Sequence, residues 1–138
     1  MLLVVLLLLA GCSQKNDNTS NAGPAGDTAV LEPLQLGPDV DVKTVAAVRE
    51  RPDVVVIDVR EQWEYDEAHV PGVTLIPMGT IPDRLDDIPR DKEVIVMCRS
   101  GNRSGQVTEF LRQAGFTNVH NMKGGILAWQ EAGLPVER

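Results

Sequence analysis

Cys98 heads the run Cys98-Arg99-Ser100-Gly101-Asn102-Arg103-Ser104 and directly follows Val94-Ile95-Val96-Met97. A continuous apolar, β-branched stretch of that kind predicts a strand buried on both faces. Past the run, apolar residues at Val107, Phe110, Leu111 and Ala114 recur with a helical period and predict a helix over Ser104 to Ala114. The cysteine therefore sits at a strand–loop–helix junction, where backbone N–H groups converge and a helix N-terminus adds partial positive charge. Arg99 and Arg103 bring full charges, Gly101 permits a tight turn, and Ser100, Asn102 and Ser104 are small and polar. A thiol in such a cradle is expected to ionise near neutral pH and act as a nucleophile, with an anionic substrate held by residues 99–104. A lone cysteine at a strand end is otherwise an inert packing residue. Two arginines and a glycine are poor packing neighbours, which favours the nucleophile.

The segments that must position this loop alternate between strand and helix. Val40 is a short strand candidate, and Asp41 is placed to cap a helix over Val42 to Glu50 that Pro52 ends. Val54-Val55-Val56-Ile57 is a second β-branched run read as a buried strand. Glu61 to Ala68 reads as a short helix closed by Pro71-Gly72, Val73 to Ile76 as a strand, and Ile81 to Ile88 as a short amphipathic helix. Gly115 suits the residue after the Ser104–Ala114 helix, Asn118 to Met122 predicts the last strand, and Ile126 to Ala132 a last helix ended by Gly133. Buried strands separated by helices predict an α/β fold, a parallel sheet of about five strands with helices on both faces. In such folds ligands bind at the carboxyl ends of the strands, where Cys98 lies.

The amino terminus has a different texture. Leu2 to Leu9 are all Leu or Val and lead into Leu9-Ala10-Gly11-Cys12. The run is too short for the roughly 20 residues of a spanning helix and suits the apolar core of a secretion signal. No Lys or Arg precedes it. Leu9 to Cys12 resembles a bacterial lipobox. The resemblance implies a leader over residues 1–11, lipidation of Cys12, and export to an extracytoplasmic membrane face. With Ser13 next, that face would be the periplasmic side of the outer membrane in a host with two membranes. The alternative is cleavage by an ordinary signal peptidase. Residues 12–38, rich in Ser, Asn, Gly, Pro and Asp, read as a flexible tether, and residues 39–138 as the folded domain. The chain of 138 residues carries a net charge of −7, all of it beyond residue 11, which argues against nucleic-acid binding. Its two cysteines, Cys12 and Cys98, lie in unrelated contexts and do not suggest a disulfide framework; with only two histidines, no metal-site spacing is present.

Several stretches together are similar to single-domain rhodaneses. Cys98 to Ser104 resembles the family's active-site loop; Asp58-Val59-Arg60-Glu61, His69-Val70-Pro71-Gly72, Gly115-Phe116-Thr117-Asn118-Val119 and Gly124-Gly125-Ile126-Leu127-Ala128-Trp129 resemble other family stretches in the same order. Ala68 stands where the family usually has Gly. The resemblance covers about residues 40–137. It implies sulfane-sulfur transfer from thiosulfate or a similar donor to cyanide or a thiol, through a persulfide on Cys98 and without cofactor or metal. It also implies that Asp58 and Arg60 brace the loop and neighbouring segments and that His69 holds its turn; His120, on or near the last strand, reads as structural or solvated, and Trp63 and Trp129 as packing residues, with the pocket rim open to Trp129.

Other readings remain open at this point. A sulfur carrier would hand its sulfur to a protein partner, and a redox sensor would oxidise Cys98 reversibly, though the domain offers no resolving cysteine. Phosphatases and arsenate reductases of similar design carry an arginine six positions after the cysteine. Here that position is Ser104 and the arginine is Arg103, a shorter loop better matched to a sulfane sulfur than to a phosphate ester.

Overall fold

The computed structural model describes residues 30–138; the leader, Cys12 and most of the tether lie outside the described residues. From Leu34 onward the chain forms one unit. Its elements are β1 (Asp39–Val40), α1 (Val42–Val48), β2 (Val54–Asp58), α2 (Gln62–Glu67), β3 (Thr74–Leu75), β4 (Glu93–Met97), α3 (Asn102–Gln113), β5 (Val119–Met122) and α4 (Gly125–Glu131). The five strands pair in parallel in the order β1-β5-β4-β2-β3. The chain steps outward from β2 to β3 in one direction and from β4 to β5 in the other. The crevice between the carboxyl ends of β2 and β4 is thus the point where the winding reverses, and Cys98 follows β4, the middle strand.

Both sheet faces are covered, which is why β2 and β4 read as unbroken apolar runs. Val54, Val56, Ile95 and Met97 pack with Val42, Val45 and Val48 of α1 and with Ile126 and Trp129 of α4. Their neighbours Ile57, Val94 and Val96 point the other way, to Val107 and Leu111 of α3 and to Phe116. Cys98 belongs to this second cluster. Asp41 caps α1, its carboxylate accepting from the N–H groups of Lys43 and Thr44.

Three expectations are corrected. Residues 81–88 do not form an amphipathic helix but two 3₁₀ turns, Met78–Asp83 and Leu85–Asp87. Pro82 inside the first lacks the N–H that an α-helix would use there. The segment read as tether docks before residue 39: Leu34 and Leu36 pack against the α1/α4 side of the core, and the Gly37 and Pro38 carbonyls accept from the His120 ring and the Asn121 N–H. Two leucines among polar residues were too weak a periodic signal to mark this edge. The third concerns Trp63, read as a packing residue but 63% exposed; Trp129 is fully buried, as a packing residue should be, and donates to the Pro135 carbonyl.

Candidate active site

The loop after β4 is shaped from outside by α4. The carbonyls of Cys98 and Arg99 accept hydrogen bonds from the N–H groups of Ile126 (2.9 Å) and Leu127 (3.1 Å). With those carbonyls turned toward α4, the amides of the loop turn inward. Gly101 N–H reaches Cys98 Sγ at 3.1 Å, and the amides of Ser100 and Ser104 help to lower the thiol's pKa. Two glycines make this possible. Gly101 adopts φ +94°, and a Cβ on it would stand 3.1 Å from the Gly124 nitrogen. Gly125 adopts φ +59°, and a Cβ there would overlap the Cys98 carbonyl oxygen. The close approach of the α4 start to the loop requires both residues to lack a side chain.

Cys98 is 1% exposed. Burial pushes its thiol pKa up, but the hydrogen bonds from the Ser104 hydroxyl and the amides of Ser104, Ser100 and Gly101 outweigh it, and the thiol lies below its ordinary value of 9.0. Hydrogen bonds to the charged form of a group favour ionisation. The lowering thus comes from the Ser104 hydroxyl and loop amides, not from a neighbouring histidine.

The structure separates the roles of the two loop arginines. The Arg99 side chain is exposed and makes no hydrogen bond or ion pair among the described residues. It lines a pocket with Arg60, Trp63, Ile126 and Leu127. Arg103 instead grips Glu64 of α2, Nη1 to Oε2 at 2.7 Å and Nη2 to Oε1 at 2.6 Å, so two of its donors are already taken by a carboxylate. The two Arg103 N–H groups hold the Glu64 carboxyl down at about 2. Ser100 and Asn102 have exposed side chains at the loop surface, and they line a second shallow pocket with Gly101, Asn121 and Lys123. Ser104 is fully buried, its hydroxyl 3.4 Å from Cys98 Sγ and 2.7 Å from Asn121 Oδ1.

Asp58 and Arg60 form a buried ion pair, Nη2 to Oδ2 at 2.7 Å. The remaining Arg60 donors go to the carbonyls of Glu64 and Ala68, so the pair fixes α2 and reaches the loop only through Glu64 and Arg103. Ala68 takes the place of a glycine without strain, since its φ of −168° is ordinary extended backbone. His69 bonds the Tyr65 carbonyl and stacks on the Tyr65 ring. His120 bridges the Gly37 carbonyl and Glu93. Both histidines are structural.

Sequence reasoning missed Glu64, Asn121 and the loop-clamping role of Gly125. Glu61-x-x-Glu64 is a capping-box pattern, and the box forms, but nothing local indicates that Glu64 also faces Arg103. Asn121 carried a faint signal, because asparagine is disfavoured in strands.

A buried cysteine whose sulfur accepts a hydrogen bond from a loop amide, placed after the central strand of a parallel α/β sheet, is the candidate nucleophile of this site. The chain belongs to the rhodanese-like domain family, which matches residues 41–132. Among its relatives is a sulfurtransferase of Allochromatium vinosum, 42% identical over 84 residues that make up 61% of this chain and 78% of that protein. A putative sulfurtransferase of Bacillus subtilis is 38% identical over 96 residues, 67% of this chain and 92% of the relative. Among solved structures, a rhodanese-related protein from Thermoplasma volcanium has a TM-score of 0.67 at 31% identity, covering 73% of this chain and 98% of that one.

Proposed function

We propose that this protein is a sulfurtransferase that moves a sulfane sulfur from thiosulfate or a similar anionic donor to cyanide or a thiol. The observation that carries this reading is the Cys98 sulfur at the floor of a ring of inward-pointing amides. In the first half-reaction the Cys98 thiolate attacks the outer sulfur of thiosulfate. A new S–S bond forms, the sulfur–sulfur bond of the donor breaks, and sulfite leaves with the electron pair. The product Cys98–S–S⁻ carries its charge on the outer sulfur, where fixed amide dipoles stabilise it without reorganisation. In the second half-reaction a nucleophile takes that sulfur as thiocyanate or as its own persulfide and returns the Cys98 thiolate, a ping-pong cycle. The exposed Arg99 draws in the anion and does not touch Sγ.

The test is steady-state thiocyanate formation from thiosulfate and cyanide by the full chain and by Cys98→Ser. Turnover is expected in the first and none in the second; retained turnover in the variant would exclude Cys98 as the sulfur carrier.

The reading extends to location. The Leu9-Ala10-Gly11-Cys12 pattern would place acyl chains on Cys12 and hold the domain at an extracytoplasmic membrane face, in a more oxidising compartment than the cytoplasm.

A further inference from the structure

Behind Cys98 lies a chain of side chains that the sulfur-transfer scheme leaves unused. Asp39 on β1 and Asn121 on β5 are paired across the sheet. Asn121 Nδ2 donates to Asp39 Oδ1 at 3.0 Å. A carboxylate only accepts hydrogen bonds, so the amide group of Asn121 must turn its NH₂ toward Asp39 and its oxygen toward Ser104. The Ser104 hydroxyl then has two acceptors within reach, Asn121 Oδ1 at 2.7 Å and Cys98 Sγ at 3.4 Å. It has one proton. Both contacts cannot be donated at once.

We propose that Asn121 is a positioning residue for Cys98: locked by Asp39 with its oxygen toward Ser104, it competes with the sulfur for the single Ser104 proton. With Cys98 as a thiol, Ser104 donates to Asn121 and its lone pair faces the sulfur. With Cys98 as a thiolate, the full charge on Sγ draws the proton over and Asn121 Oδ1 gives up its donor. On the reading that Cys98 becomes a persulfide, the charge moves to the outer sulfur, Sγ becomes neutral, and the proton returns to Asn121. The competition therefore weakens the stabilisation of the free thiolate and leaves the persulfide unaffected. It keeps the sulfur more nucleophilic than an uncontested Ser104 would.

Other charges reach this cluster. Asp39 and Lys123 border the shallow pocket that Asn121 lines, Arg103 is held by Glu64 but also feels the Cys98 charge, and Arg99 is exposed. A change at Asn121 must therefore be read through Ser104 and not as a general field effect.

The experiment is a double-mutant cycle on the full chain, wild type, Ser104→Ala, Asn121→Leu and the pair. The readout is iodoacetamide labelling of Cys98 against pH, resolved from Cys12 by peptide mass. Asn121→Leu removes the competing acceptor. It is expected to move the labelling midpoint to lower pH, raising the thiolate fraction below the midpoint about three- to tenfold, the worth of one hydrogen bond. In the Ser104→Ala background the same substitution should move nothing. Asp39→Ala, at an exposed residue, frees Asn121 to flip and should give a smaller shift of the same sign, again only when Ser104 is present; it carries the test if Asn121→Leu does not fold. An equal shift in both Ser104 backgrounds, or an upward shift, would overturn the proposal. Labelling does not require sulfur transfer, so a coupled shift in a protein that takes up no sulfur would leave this proposal standing and defeat the sulfurtransferase reading.

Discussion

Glu64 and Arg103, 39 residues apart in sequence, meet through two parallel hydrogen bonds of 2.7 and 2.6 Å. The pair ties α2 to the first turn of α3, immediately beside the cysteine loop. A planar guanidinium opposite a carboxylate fixes direction as well as distance. The contact therefore belongs to the framework of the site.

That assignment divides the arginines by experiment. Arg103→Ala leaves Glu64 buried without its cation and should cost about 2–3 kcal/mol of stability, with turnover falling as the loop loosens. Arg103→Lys should recover little, because an ammonium cannot reproduce the fork. Arg99→Ala should leave stability unchanged and raise the KM for thiosulfate several-fold, about 1 kcal/mol for an exposed charge, the difference shrinking as salt rises. Urea unfolding and steady-state kinetics on the three variants check the division.

The same pair sets an acid limit on stability. The Glu64 carboxyl drops from its ordinary 4.5 to about 2 in the fold, so below the higher value the unfolded chain binds a proton that the native one does not. The contribution is complete above about pH 4.5 and is lost as pH falls toward 2, roughly 2 kcal/mol after allowing for screening at the partly exposed Arg103. Denaturant midpoints near pH 6 and near pH 3 should diverge more in the wild type than in Glu64→Gln.

Much of this architecture was legible in the sequence. Val54-Val55-Val56-Ile57 and Val94-Ile95-Val96-Met97 gave the two inner strands because both sheet faces are covered, and the cysteine loop stood out because cationic residues and glycine replaced packing residues. What was hidden is non-local. Nothing near Arg103 in the sequence points to Glu64, 39 residues away, as its partner. Asn121 looked like a strand residue until its side chain was seen reaching Ser104. Trp63 and Trp129 were indistinguishable by type, and only the docking of α4 decides which is buried. The 3₁₀ turns around Pro82 show local backbone chemistry overriding an apolar spacing.

The loop clamp at the start of α4 gives another test. Gly125→Ala would drive a methyl group into the Cys98 carbonyl and within 2.5 Å of Arg99 backbone atoms, at φ +59°. A stability loss of about 2–4 kcal/mol is expected, with most activity gone because the amides no longer converge on the sulfur. Gly79→Ala, with nothing within 4 Å of the added carbon, should be near neutral on both counts. Thermal melts and thiocyanate formation on the two variants decide the matter.

Location is checked separately. In cells making the full chain, protein should pellet with membranes and label with palmitate, and Cys12→Ala should do neither. A soluble, unlabelled wild type would exclude the lipid anchor and leave the sulfur chemistry untouched.

Persulfide formation on Cys98 is read from the mass of the purified full chain after thiosulfate treatment, with the modified residue located by peptide analysis. A gain of one sulfur atom on Cys98 is expected, reversed by cyanide with release of thiocyanate and absent in Cys98→Ser. An unchanged mass, or a sulfur found elsewhere in the chain, would contradict it.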